Sequence, residues 1–301
     1  MKILTYSEIA TFLGCRRKCR FRYFDEIVHE SRQNHTMWFG QIIHSALEAY
    51  AKEKNPADAY DVIDREFGAL PAELLKPQEH EMALAMMRGY AKKYQHENIK
   101  FLALEKEFLV PILNPQTGYK SRTFRFAGKI DALVEMPDGK YLLEHKTSGD
   151  AGRVYLERVW SDLQTQLYLI AARDGLGLRL RGIIYDVLHK TRAKKNLEER
   201  YEQPEMFQRE TVLFDLMTYS EFRHFLWSVA KEIHWCERKD QWLPNPMNCF
   251  SLYGNRCQYY PICSSNNNPN VIANSYVHKR AHEELTIVHS TEGENPAEAG
   301  A

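Results

Sequence analysis

The chain has 301 residues, 44% apolar and 27% charged, which is enough to bury one large core and rules out a fibrous or wholly disordered protein. Lys plus Arg and Asp plus Glu are equal at 40 each, so no bulk positive charge points to nucleic acid, and any such contact must come from local clusters. No apolar run reaches the roughly 18 residues of a membrane span and Met1-Lys2-Ile3-Leu4 is no signal peptide; in the cytoplasmic setting this implies, six cysteines read as metal ligands or core residues rather than disulfides.

Thr5-Tyr6-Ser7-Glu8 opens the chain as a capping box, with Thr5 covering an orphan amide and Glu8 reaching back. The helix that follows runs into Arg16, Arg17, Lys18, Arg20 and Arg22, interleaved with Phe21, Tyr23 and Phe24. Apolar stripes predict a helix over about Met37 to Lys54 and another over about Glu79 to Glu97. Strands are expected from about Leu102 to Thr147, broken at Asn114-Pro115 and at Pro137-Asp138-Gly139. A helix from about Val154 to Asp174 should end on Gly175 as a left-handed cap. Ile183 to Lys190 and Glu210 to Phe214 read as strands, with Thr191 to Arg209 a polar, mobile loop between them. Thr218-Tyr219-Ser220-Glu221 is a second capping box. Past Cys263 the composition turns to Asn, Pro, Glu and Ala, and a single folded domain over 1–283 with a disordered tail from about residue 284 is expected. The order of helices, strands, a crossover helix and more strands predicts an α/β fold with a mixed sheet.

The segment Gly128-Lys129-Ile130-Asp131 to Glu144-His145-Lys146 is the most chemically pointed. Alternate residues of a strand share a face, so Glu144 and Lys146 point one way and His145 the other. A two-residue turn at Pro137-Asp138 sets Asp131 opposite Glu144, whereas a bulge at Gly139 would shift the pairing by one. Two carboxylates with a lysine beside them suit a hard divalent cation that keeps waters and accepts a phosphate oxygen. The plain alternative is a solvated hairpin carrying a surface Glu–Lys pair.

Gly128-x-x-Asp131 with Glu144-x-Lys146 resembles the PD-(D/E)xK nuclease superfamily, and within it the RecB-like exonuclease branch. Ile130 stands where the nominal proline would be. Gln164-x-x-x-Tyr168 is similar to the branch's Q-x-x-x-Y helix motif, and Gly40-x-x-x-His44-x-x-Leu47-Glu48 to its histidine element. The resemblance implies a restriction-endonuclease-like core and a Mg²⁺ or Mn²⁺ ion held by His44, Asp131, Glu144 and the backbone carbonyl of His145. It further implies that Lys146 acts on the attacking water and that Gln164 and Tyr168 position substrate. In-line attack would leave a 5′-phosphate and a 3′-hydroxyl.

Cys249, Cys257 and Cys263 lie in one turn-rich segment and need a fourth ligand to hold a metal group. The same resemblance supplies Cys15, with Cys19 as the substitute, and a [4Fe–4S] cluster joining the N- and C-terminal segments; a Cys₄ Zn²⁺ site is the alternative. Cys236 reads as core. Such a clamp sets Arg16, Arg17 and Arg20 beside Tyr259, a mixture that suits single-stranded DNA, although a solvated basic face reads equally well. Lys190, Arg192, Lys194 and Lys195 form a second basic cluster. The reading is therefore a metal-dependent DNA exonuclease working on single strands or ends in repair, recombination or phage DNA processing. No phosphate-binding G-x-x-x-x-G-K-[ST] occurs, so a helicase would be a separate partner. Similarity extends to AddB-type and CRISPR-adaptation nuclease domains, and the alternative within the branch is a CRISPR-adaptation nuclease that trims DNA before integration. A non-catalytic, zinc-stabilised DNA-binding module is the rival of another class.

Overall fold

A computed structural model describes residues 1–30, 35–71, 74, 76–149, 152–193, 195–251 and 254–286. In chain order these form β1 (Lys2–Thr5), α1 (Tyr6–Gly14), α2 (Arg16–Cys19), β2 (Ile27–His29), α3 (His35–Glu53), α4 (Pro56–Gly68), α5 (Pro77–Tyr94), β3 (Lys100–Leu113), β4 (Lys120–Met136) and β5 (Gly139–Ser148). They continue with α6 (Arg153–Glu157), α7 (Leu163–Ile170), β6 (Gly182–His189), α8 (Leu197–Tyr201), β7 (Phe207–Leu213), α9 (Leu216–Lys239), α10 (Tyr260–Ser264), α11 (Pro269–Ser275) and β8 (Tyr276–His278). Six strands make a mixed sheet in the order β1-β4-β5-β6-β7, with β3 also paired to β4. This is the α/β architecture with a mixed sheet and flanking helices that the pattern predicts. Among the described residues no helix is long and apolar enough to cross a membrane.

The chain divides into two compact units. The first comprises Met1–Gln33, Glu107–Gly128 and Ser220–Ala301. In it β1 runs parallel to β4, Lys2 opposite Phe124 through Thr5 opposite Ala127. Thr5 caps α1 as expected, accepting from the Glu8 amide at 3.3 Å. Glu8 does not reach back to close a capping box: its carboxylate is buried and lies 3.1 Å from His282 Nε2. A long-range partner has displaced the local one. Phe21, Tyr259, Ile262 and Tyr276 form a small core, and β2 pairs antiparallel with β8. The tail expected from about residue 284 begins with packed residues: Leu285 is buried with Ala127, and the Thr286 amide donates to Glu107. Residues 287–301 lie outside the described residues.

The second unit, Asn34–Lys106 with Lys129–Tyr219, carries the main core. Helices α3, α4 and α5 pack together through Ile43, Ala46, Ala59, Ile63, Ala83 and Met86. Helix α4 has a plain start signal absent from the sequence reading, with Asn55 accepting from the Ala57 amide and Pro56 in the first turn. The expected mobile loop at 191–209 contains α8 and the start of β7. Tyr201, Met206 and Phe207 are buried with α5, and that apolar anchoring outweighs the polar residues between them. Gly89 allows the close packing, since a Cβ there would come within 2.4 Å of the Tyr201 carbonyl. The helix expected over 154–174 is broken, and a fresh helix, α7, starts where Asp162 accepts from the Thr165 amide at 3.1 Å. The left-handed glycine after it is Gly177 (φ +64°), not Gly175. Strand β6, parallel to β5 and antiparallel to β7, is buried almost end to end, as suits a strand in the middle of the sheet.

Candidate active site

All the residues expected to form the metal centre fall in the second unit. The β4–β5 hairpin turns on Pro137-Asp138, with Met136 opposite Gly139 and Ala132 opposite Leu143. That register excludes a bulge at Gly139, and the ladder ends one residue short of Asp131 and Glu144. Gly139 takes a positive φ of 148°, and Tyr141 ties down the turn by donating to Asp138 at 2.6 Å. Asp131 accepts the backbone N–H of His145 at 2.8 Å.

The apolar face of α3, with Phe39, Ile42, Ile43 and Leu47 buried, holds His44 at its margin. His44 Nδ1 lies 3.4 Å from Asp131 Oδ2. Burial pulls the His44 imidazole down, but the charge and hydrogen bond of Asp131 more than offset this and leave its pKa raised. Burial likewise pushes Asp131 up, yet His44 and the His145 amide bring it down to about 2. Glu144 differs: burial first, then the Asp131 charge beside it, push it up to about 7 against the pull of Lys146. Lys146, despite burial, is kept protonated by Glu144.

A residue missing from the sequence reading completes a trio. Ligand atoms of His44, Glu105 and Asp131 lie within 4.8 Å of one another, and among the described residues theirs is the only such group of three. Glu105 lies within β3 at φ +46°, a local distortion of the strand next to the site. Its carboxylate pairs with Lys129. The Glu144 carboxylate is engaged elsewhere, with Oε1 2.5 Å from Lys146 Nζ and 2.9 Å from Gln164 Nε2. Gln164 Oε1 in turn accepts from Lys146 at 2.9 Å. One helical turn on, the buried Tyr168 hydroxyl bonds to Gln164 and the Lys129 backbone, and burial raises its pKa. The structure thus brings together His44, Asp131, Glu144, Lys146, Gln164 and Tyr168.

Residues 3–264 match the PD-(D/E)XK nuclease superfamily. The chain belongs to that superfamily. Among solved structures it is similar to a candidate exonuclease from Eubacterium rectale, over 97% of this chain and 94% of that one, at 12% identity and a TM-score of 0.46. A protein named SSO0001 is similar over 69% of this chain and 79% of its own, at 14% identity and a TM-score of 0.30. No curated protein is similar to it in sequence. Members of this superfamily typically use divalent metals, and the His44, Glu105 and Asp131 ligand set is of the right chemistry.

Of the other sequence-derived residues of this superfamily member, the cysteines, the first basic cluster and Tyr259 fall in the first unit. Burial raises the Cys249 thiol, with Cys257 and Cys15 adding to it; Cys263 is raised by burial and feels Cys15 and Cys257, while Arg17 donates to it. The Asn245 amide donates to Cys15 Sγ at 3.3 Å. Cys19 is fully buried, and burial raises its pKa strongly, with Glu8, Cys236 and Cys15 adding to it. The basic residues make internal pairs: Arg16 with Glu232, Arg17 with the Trp242 carbonyl, Arg20 with Asp25 and Asp240. Tyr259 corrects the sequence reading. It is 1% exposed and its hydroxyl donates to the Ile27 carbonyl at 2.7 Å, so its ring is core and has no face for a base. Of the second cluster, Lys190 pairs with Glu79 and covers the Phe39 ring, and Lys194 lies outside the described residues.

Proposed function

We propose that this chain hydrolyses phosphodiester bonds in DNA with a divalent metal, Mg²⁺ or Mn²⁺, as an exonuclease of the RecB-like branch. The observation that carries this reading is the convergence of Asp131, which bonds the His145 N–H and lies on His44, with Glu144, whose carboxylate pairs with Lys146. His44, Asp131 and Glu105 would hold the cation, with Glu144 and the His145 carbonyl completing its shell. The metal supplies a water of lowered pKa and neutralises phosphate charge. Lys146, held as an ammonium, stabilises the charge that builds on phosphate oxygens. Gln164 orients that ammonium and Glu144 together. Arg16 and Arg20, in partly exposed and hence weak ion pairs, are available to exchange partners for phosphates.

The first unit, on this reading, carries a [4Fe–4S] cluster on Cys15, Cys249, Cys257 and Cys263. Tetrahedral zinc at about 2.3 Å from each sulfur needs the sulfurs about 4 Å apart. Among the described residues the four thiols do not form so tight a group, which counts against a closed zinc site. Donors from Asn245 and Arg17 to the sulfurs fit thiolate ligands. The experiment is a digest of end-labelled single-stranded and duplex DNA with Mn²⁺, with a chelator control. Shortened products bearing 5′-phosphates support the reading; intact DNA under all metals refutes it.

A further inference from the structure

Behind the metal-facing side of β5 lies a row of charged residues that the proposed chemistry does not use. His145, Asp186 and Arg209 stand at matching register on β5, β6 and β7. Asp186 has no exposed surface. Its Oδ2 lies 3.0 Å from His145 Nδ1 and accepts from Tyr90 of α5 at 2.7 Å, while Arg209 Nε is 3.0 Å from Oδ1. Arg209 also pairs with Glu97 and stacks at 3.8 Å on Tyr94. Asp186 is the one acid in this central strand, flanked by Ile183, Ile184, Tyr185, Val187 and Leu188.

Stability does not account for this arrangement. Replacing a buried ion pair by well-packed apolar side chains is often neutral or stabilising, so Val or Leu in this row would join the three strands as well. What the row adds is a fixed orientation for His145, the residue between Glu144 and Lys146. That residue's N–H is bonded to Asp131 on the site side. We propose that Asp186 is a positioning residue for the metal centre, clamping the His145 ring from behind so that the backbone of residues 144–146 holds Asp131 and the cation in place. The cation rests on the proposed nuclease reading, but its binding is measurable without any cleavage.

The test is a titration of Mn²⁺ against metal-free protein, read by the electron paramagnetic resonance of free Mn²⁺, alongside steady-state cleavage. Asp186→Asn keeps the shape and removes the charge. It should weaken Mn²⁺ binding about 10-fold or more, as loss of an outer-shell partner does, and lower kcat with it while KM for DNA stays nearly constant. Tyr90→Phe, which removes one hydroxyl, should shift Mn²⁺ affinity the same way by less. Folded Asp186→Asn protein with wild-type Mn²⁺ affinity overturns the proposal. If Asp186→Asn does not fold, unchanged affinity in Tyr90→Phe and Arg209→Lys overturns it equally. Wild-type protein that binds no Mn²⁺ sinks both ideas, whereas binding without cleavage defeats only the nuclease reading.

Discussion

Asp131 and Glu144 are the next residues beyond the last rung of the β4–β5 ladder, Ala132 with Leu143, yet one carboxyl is held down to about 2 and the other pushed up to about 7. Their surroundings explain the split. Asp131 has the His44 ring and a backbone N–H on it; Glu144 is buried beside the charge Asp131 already carries. A divalent cation held between them, as proposed, would relieve that repulsion.

That asymmetry sets a pH dependence. The folded value for Glu144 lies above its ordinary 4.5, so its contribution to stability is fully present below pH 4.5 and is lost as pH rises through about 7. Metal-free protein should lose Tm over that window, and Glu144→Gln should flatten the loss. Added Mn²⁺ should raise Tm more at pH 8 than at pH 6, because the cation competes with the Glu144 proton. Thermal melts with chelator and with metal check this.

Removing Lys146 should abolish most turnover while leaving substrate binding. Loss of one donor aimed at developing charge costs about 10²–10³ in kcat, and Lys146→Ala should fall in that range with KM little changed. Steady-state kinetics on single-stranded DNA decide it.

Gln164→Ala should be milder. It deletes the link between Lys146 and Glu144 but neither charge, so a drop of about 10-fold in kcat is expected. A loss as large as that of Lys146→Ala would mean that Gln164 touches the reacting group itself.

The fold has its own test at Gly182, where a Cβ would meet the Val212 carbonyl of β7 at 2.0 Å. Gly182→Ala should destabilise the protein by about 1–3 kcal/mol through forced backbone movement. Urea unfolding measures it, and the metal affinity of the folded fraction should not change.

Much of this was legible in the chain. The hairpin register followed from a two-residue turn with alternation on both sides, and the stripe of α3 placed His44 at its margin. Glu105 was not legible, because nothing local marks a strand residue that takes a positive φ. Asp186 did leave a signal, a lone acid in Ile183-Ile184-Tyr185-Asp186-Val187-Leu188, but its partners lie on other elements. The stretch 191–209 misled because three apolar anchors were outnumbered by polar neighbours, and Tyr259 because its ring packs against residues far off in sequence.

The cysteines can be separated by substitution. Anaerobically purified protein should contain iron and absorb visible light, and Cys257→Ala or Cys15→Ala should lose both. Cys19→Ala should keep the colour, since that thiol is fully buried and donates to the Glu8 carbonyl.

The central claim is that His44, Asp131, Glu144 and Lys146 form one metal-dependent hydrolytic centre. Single-turnover digestion of labelled DNA with Mn²⁺, comparing wild type with Asp131→Asn and Lys146→Ala, tests it most directly. Cleavage by the wild type, with both variants folded and at least about 100-fold slower, is the result predicted. Variants that cut as fast as the wild type would contradict it.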